Sequence, residues 1–323
     1  MQANNSQLYT LGIDIGGTKI ETALVDAKGL IVASQFQLIK PDKSPASVIQ
    51  HILDSVQVCY RKSGKTASAA GIGVAGQIDK IQGIVKRSPN LPDWKDVALG
   101  AELHTALGIP VSVDNDVRMI TRGEWRHGAG LGVHDLVCLF LGTGAGGGVV
   151  SGGRLLEGHD NTAGELGHMT IVAGGRQCHC PNQGCLEAYC GGWAIAERAQ
   201  AAVQANPGAG KTLIDIAGNY ESITAISVSQ AYAKGDPLAL ELIKETAFYL
   251  SAGMVSIVNA FNPQLIILGG GVIQGIPDLV LIAEKRLRIM ALPTPLKDLR
   301  ISLAALGNQA GVIGAAVLSR SLI

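Results

Sequence analysis

Cys178, Cys180 and Cys185 fall in a short stretch rich in Gly, Pro and Asn, and nine residues separate His168 from the first of them. Three thiolates and an imidazole at such spacing are the donor set of a structural Cys₃His zinc site, closed by four protein ligands. The bland alternative is a group of small buried cysteines, but Cys-x-Cys-x4-Cys in a turn-rich stretch is unlike core packing. His179 is a rival donor, awkwardly placed between two ligating cysteines, and Cys190 is spare. Glu165 and Glu187 flank this set. Either alone reads as solvated loop charge; together, beside a neutral histidine, they make a good acceptor set for sugar hydroxyls.

A second group is Asp114-Asn115-Asp116, between a short strand and a helix. Asp116 opens that helix, and Asp is a favoured N-cap. The same junction is where α/β sheets expose catalytic groups, and three polar residues in series exceed what a cap needs. The residues leave cap and catalyst both open.

The third feature is a recurring glycine turn. Leu11 to Val25 reads strand, Gly16-Gly17, strand, and Val137 to Val150 repeats the pattern around Gly142-Thr143-Gly144. Such hairpins present backbone N–H groups to phosphate oxygens because no Cβ blocks the approach. Asp14 ends the first strand, where a carboxylate can hold Mg²⁺ through water, and Thr18 and Lys19 add a hydroxyl and a positive charge. One hairpin alone is most simply a turn. Two of them, with Gly269-Gly270-Gly271 after a third apolar strand, suit a nucleotide. Gly208-Ala-Gly-Lys211-Thr212 lacks full P-loop spacing and follows no apolar strand, so it is rejected.

These groups need elements to carry them. Two glycine hairpins, each opening one half of the chain, imply a duplicated α/β fold. Between them the pattern gives a helix over 44–61, a buried strand over 69–75, a short strand over 111–113 and a helix over 117–127 stopped by Gly128. The second half holds helices near 192–205, 236–260 and 310–321, a strand over 265–268, and a loop over 206–218. Thr246 to Pro277 carries no charge, but Asn259, Asn262-Pro263 and three glycines interrupt it, so it reads as a buried helix and strand. The 323 residues suffice for two domains, and 26 basic against 26 acidic residues give no field for nucleic acid or an anionic membrane. The N-terminus lacks a signal-peptide pattern. The expectation is a cytoplasmic protein.

Taken together, Asp14-Ile-Gly-Gly-Thr-Lys19, Asn90-Leu-Pro-Asp-Trp94, Asn115-Asp116, Leu141-Gly-Thr-Gly144, Glu165-Leu-Gly-His168, Cys178 to Glu187 and Leu306-Gly-Asn308 resemble the ROK family, most of all its glucokinases. The resemblance covers almost the whole chain. Pro181 replaces a Gly of the usual zinc motif and Gly191 stands where a Ser is usual, but the metal ligands remain. The resemblance implies an actin-like ATPase (ribonuclease H-like) fold, with two domains around a central cleft. The small domain would hold 1–116 plus 311–323, and the large one, with the zinc site, 117–310.

It further implies sugar contacts at Gly76, Asn90, Asn115, Asp116, Glu165, His168 and Glu187. ATP would lie against Asp14, Gly16, Gly17, Thr18, Lys19, Gly142, Thr143, Gly144, Gly269, Gly270 and Gly271, with Mg²⁺ near Asp14. The implied activity is transfer of phosphate from ATP to the 6-hydroxyl of a hexose, glucose first, with Asp116 as general base. N-acetylglucosamine and N-acetylmannosamine kinases share the motifs. The same family contains sugar-sensing repressors, but only a few polar residues precede Leu8, too few for a DNA-binding module. Retention of both Asp14 and Asp116 argues against a non-catalytic sugar binder. Hexose and ATP are thus the expected partners, with a homo-oligomer of two or four copies. Zinc is expected to organise the sugar site without touching phosphate chemistry.

Overall fold

A computed structural model describes residues 8–323; the residues before Leu8, which bear on the repressor alternative, lie outside the described residues. Tyr9–Ile15 (β1) and Lys19–Asp26 (β2) form the first glycine hairpin, with Ile15 opposite Ile20. Ile31–Leu38 (β3) continues the meander, a strand the apolar pattern does not reveal because only Ala33 in it is buried. The chain then crosses over through the helix Pro45–Ser63. Its start has Ser44 accepting from Ser47 N–H and proline at the first turn, and Gly64 ends it in the left-handed conformation.

That crossover delivers Ala70–Val74 (β4) parallel to β1. Gln77–Asp79 (β5), Ile84–Ser88 (β6) and Leu91–Val97 (β7) make a separate three-stranded sheet, too short-stranded to stand out in the sequence. Val111–Asn115 (β8) then adds beside β4, giving the order β3-β2-β1-β4-β8. Ile15, Val74 and Asn115 are register partners at one end of the sheet. Gly16, Gly76 and Asp116 therefore all follow the carboxyl ends of adjacent parallel strands, where open α/β sheets place their chemistry.

The helix Ala310–Ser319 lies across this sheet. A Cβ on Gly12 would overlap the carbonyl of Val312, and one on Gly71 would overlap that of Ala315. Only glycine permits strands and helix to come this close. The helix Asp116–His127 packs on the same C-terminal helix through Gly314, which lies against the Met119 carbonyl.

The second sheet repeats the first. Leu136–Leu141 (β9) and Ala145–Ser151 (β10) form the antiparallel hairpin, and Arg154–Leu155 (β11) extends it. Leu265–Gly269 (β12) runs parallel to β9, and Arg300–Leu303 (β13) is parallel to β12. The order β11-β10-β9-β12-β13 is the arrangement of the first five-stranded sheet, third-second-first-fourth-fifth. The fold is a duplicated α/β fold, as the twin hairpins imply. The chargeless stretch is the end of the helix Pro237–Phe261 followed by β12, and no helix among the described residues is long and apolar enough to cross a membrane. The segment read as a loop over 206–218 contains a short helix, Lys211–Ala217, anchored by buried Leu213.

By contacts the chain forms two compact units. One comprises Met1–Gly132, Glu157–Ala163 and Ala305–Ile323; the other comprises Val133–Leu156 and Gly164–Ala304.

Candidate active site

In the first unit, three carboxylates gather at the end of β1. Asp14 lies directly opposite Glu21 across the ladder, and like charges so paired repel. Burial raises the pKa of Asp14 from its ordinary 3.8 to about 7; the charge of Asp116 adds to this, Lys19 opposes it and Glu21 adds a smaller push. Burial likewise raises Glu21, against the pull of Lys19. The Asp14 carboxylate also presses on the C-terminal helix: a Cβ on Gly311 would stand 2.6 Å from its Oδ2. A negatively charged, partly desolvated pocket of this kind favours a bound cation.

Asp116 is the first residue of its helix, and Asn115 is the cap. The Asn115 side chain accepts from Val117 N–H at 3.0 Å and Arg118 N–H at 3.3 Å. Of the two roles left open for Asp116, the cap falls to Asn115, although Asp116 Oδ1 also accepts from Val117 N–H at 2.9 Å. Asn115 thus caps the helix, with Asp116 half-buried beside it.

Asn115 Nδ2 donates to the Gly76 carbonyl at 3.3 Å. Gly76 has φ 129°, and a Cβ there would overlap the carbonyl of Arg87. Asn90 packs against the first glycine turn, 3.2 Å from where a Cβ on Gly17 would be. Gly76, Asn90, Asn115 and Asp116 are thus brought to one end of this unit.

Beneath them lies a device not singled out in the sequence. Asp114 is fully buried and takes hydrogen bonds from Asn115 N–H at 2.8 Å, Arg118 Nε at 3.0 Å and Asn161 Nδ2 at 3.1 Å. Arg118 Nη2 lies 2.7 Å from the same carboxylate. The i,i+4 spacing of Asp114 and Arg118 was the available signal. All of these contacts to Asp114 fall on Oδ1; Oδ2 has only Arg122 Nη2, 3.9 Å away, and the pair ties the strand end to the helix that follows it.

In the second unit, one ligand atom each from His168, Cys178, Cys180 and Cys185 lies within 4.8 Å of every other. Cys180 Sγ is 3.6 Å from Cys185 Sγ, and Cys178 Sγ is 3.8 Å from His168 Nδ1. Sulfurs bound about 2.3 Å from one tetrahedral zinc stand about 3.8 Å apart, so this donor set fits that metal. His179 turns away and stacks on Trp193, ring centroids 3.9 Å apart. Cys190 is buried with its thiol directed at the Thr246 carbonyl. Nδ1 of His168 faces the sulfurs, leaving Nε2 as its second donor or acceptor.

Glu187 opens a short helix just past Cys185. Its Oε2 accepts from Ala145 N–H at 2.8 Å, and its Oε1 accepts from Trp193 Nε1 at 3.3 Å. A Cβ on Gly144 would stand 2.5 Å from Oε2. The second glycine turn is therefore fitted to Glu187 as much as to any ligand. Trp193 is a residue the sequence reading did not pick out; no spacing pattern marks it. Glu165 is exposed at the entry to the Leu166–His168 turn.

Gly270, with φ 91°, lies where a Cβ would overlap the Leu141 carbonyl, and Gly271 opens a short helix with free space around it. Gly142 likewise has no atom within 4 Å of a built Cβ.

A model of the ROK family matches residues 10–321. The chain is 34% identical over 316 residues to a glucokinase of Streptomyces coelicolor, covering 96% of this chain and 97% of that one. Among solved structures, a ROK family glucokinase from Streptomyces griseus in complex with glucose and AMPPNP superposes with TM-score 0.81 at 34% identity, covering 97% and 99% of the two chains. A ROK family transcriptional regulator, homologous to the Escherichia coli MLC protein, superposes with TM-score 0.84 at 29% identity, covering 99% of this chain and 80% of that one.

Proposed function

Since the chain belongs to the ROK family and has its actin-like ATPase fold, we propose that it is an ATP-dependent hexose kinase that phosphorylates glucose on the 6-hydroxyl. A family fold alone does not decide activity, because a regulator shares it. The observation that carries the reading is the placement of Asp14 and Asp116 at the carboxyl ends of β1 and β8, the two strands that flank β4. Holding a sugar requires neither.

In this reading Asn90, Asn115, Glu165, His168 and Glu187 fix the ring, with Gly76 beside them, its backbone packed on Arg87 and held by Asn115. Asp116 accepts the 6-hydroxyl proton as that oxygen attacks the terminal phosphorus of ATP. The O6–P bond forms and the bond to the ADP oxygen breaks. Gly16 and Gly142 N–H close their own turns on the Lys19 and Gly144 carbonyls, so the N–H groups of Gly17, Thr18, Thr143 and Gly144 would meet the phosphates, with Gly269–Gly271 toward the adenosine. Asp14 would hold the Mg²⁺ that accompanies ATP, and that charge would offset the charge developing on the transferring group. His168, Cys178, Cys180 and Cys185 would hold a zinc ion, which with four protein ligands would supply structure and leave no position for a catalytic water.

The test is ATP turnover with and without sugar, across glucose, mannose, N-acetylglucosamine and N-acetylmannosamine. The reading expects sugar-dependent ADP release with the highest kcat/KM for glucose. A higher value for an acetamido sugar would change the substrate and keep the mechanism. Sugar binding without ADP release in any case would make the chain a sensor.

A further inference from the structure

Three hydrogen bonds sew the second glycine turn to the segment that leaves the metal loop. Ala145 N–H donates to Glu187 Oε2 at 2.8 Å, Gly192 N–H to the Gly142 carbonyl at 2.9 Å, and Trp193 N–H to the Thr143 carbonyl at 3.0 Å. The Trp193 side chain closes the assembly from the other side. Its Nε1 holds the second oxygen of Glu187, and its ring stacks on His179, which sits between two of the metal-loop cysteines. Cys178 Sγ lies 3.9 Å from the same Glu187 oxygen. Each turn residue from Gly142 to Ala145 is thereby touched: two by carbonyl acceptance, Ala145 by donation, and Gly144 by the close approach of the carboxylate.

We propose that Trp193 is a positioning residue for the nucleotide: it clamps Glu187 and the metal loop against the Gly142–Gly144 turn, whose Gly142 N–H is given to the Gly144 carbonyl, so that the N–H groups of Thr143 and Gly144 are set for phosphate before ATP arrives. The proposal rests on the reading of that turn as a phosphate site. Preorganisation of this kind lowers the ordering cost of binding and shows as affinity. A flexible carboxylate released from Nε1 would swing off Ala145 N–H, and the turn would lose its shape. A carboxylate otherwise assigned to sugar would then act on both substrates, through Oε2 on the turn and through its remaining acceptor sites on the hydroxyls.

The test uses the full-length, zinc-loaded protein and three variants. Trp193→Phe keeps a ring on His179 and removes the Nε1 donor; Trp193→Ala removes both; Gly142→Ala adds a methyl where the protein itself leaves space. Calorimetric titration with Mg²⁺·AMPPNP should show affinity falling about tenfold in Trp193→Ala, and by a few-fold in Trp193→Phe, about what one lost hydrogen bond is worth. Steady-state KM for ATP should rise more than kcat falls, with zinc content and folding by circular dichroism unchanged. A merely structural role would lower the active fraction and leave the KM alone. Should Trp193→Ala fail to fold, Trp193→Phe still decides. Wild-type nucleotide affinity in folded Trp193→Phe, alongside weakened binding in Gly142→Ala, overturns the proposal and keeps the phosphate site. Undiminished binding in Gly142→Ala shows that phosphate does not approach this turn, and overturns the proposal together with the reading beneath it.

Discussion

Gly16-Gly17 between β1 and β2 and Gly142–Gly144 between β9 and β10 follow matching strands in matching sheets. In each, one glycine is open to its surroundings, Gly16 and Gly142, and one is pressed by a side chain, Gly17 by Asn90 and Gly144 by Glu187. They differ in how their carboxylate is kept. Asp14 is part of the hairpin, buried beside Asp116 and Glu21, and its pKa is raised to about 7. Glu187 arrives from the metal loop and is held by Ala145 N–H and Trp193 Nε1. Duplication supplied the same backbone twice; the first copy gathers acidic groups around a buried Asp14 and the second carries a carboxylate held by two N–H donors. In the proposed reading the first turn is the one suited to a cation, and the second is the one tied mechanically to the metal loop.

Removing the charge at the first turn breaks this contrast most severely. Asp14→Asn should lower phosphoryl transfer by about 10² or more, the scale of losing an electrostatic stabiliser in a desolvated site. It should also alter stability in the opposite sense. Folded Asp14 keeps its proton up to about pH 7, whereas the unfolded chain releases it near 3.8. The folded state therefore binds more protons in that window, and stability falls as pH rises through it. The Asn variant should lack that slope and melt higher than the parent at pH 8 in the absence of ligands. Thermal midpoints from pH 4.5 to 8 decide it; parallel profiles would mean Asp14 is not strained.

A smaller effect is expected from the metal. Cys180→Ser, or chelation, should weaken glucose binding about tenfold or more. Because Glu187 also holds Ala145 N–H, nucleotide binding should weaken with it, where the sequence alone leads to an effect falling far more on sugar than on ATP. Calorimetry of both ligands on folded, zinc-depleted protein measures this. Loss confined to glucose would uncouple the second turn from the metal loop, and no loss in either would remove the metal from the site.

The mildest change sharpens the likeness of the turns. A Cβ on Gly16 meets nothing nearer than 3.5 Å. Gly16→Ala should thus shift stability by no more than about 0.5 kcal/mol while weakening nucleotide binding. A large drop in melting temperature would mean that the first turn is packed like Gly144.

What the sequence made legible was local. The glycine hairpins, the chargeless helix-strand and the Cys₃His spacing are all set by periodicity or by neighbours within a few residues, and the structure has each of them. Strand β3 and the small sheet of β5, β6 and β7 escaped, because a half-exposed edge strand and strands of three to seven residues carry little apolar pattern. Asn115 rather than Asp116 caps the helix; both are good caps, and the choice depends on where the strand ends. The link from Glu187 to Ala145 spans 42 residues, and only the three-dimensional structure could join them.

The central claim is that Asp116 takes the proton of the sugar hydroxyl. Asp116→Asn keeps the shape and a hydrogen-bonding group but cannot accept the proton, and Asn115 still caps the helix. Paired measurements of glucose affinity and of single-turnover phosphoryl transfer separate binding from chemistry. The account predicts near-parental glucose affinity with transfer slowed by about 10²–10⁴. Transfer at close to the parental rate in a folded Asp116→Asn protein would contradict it.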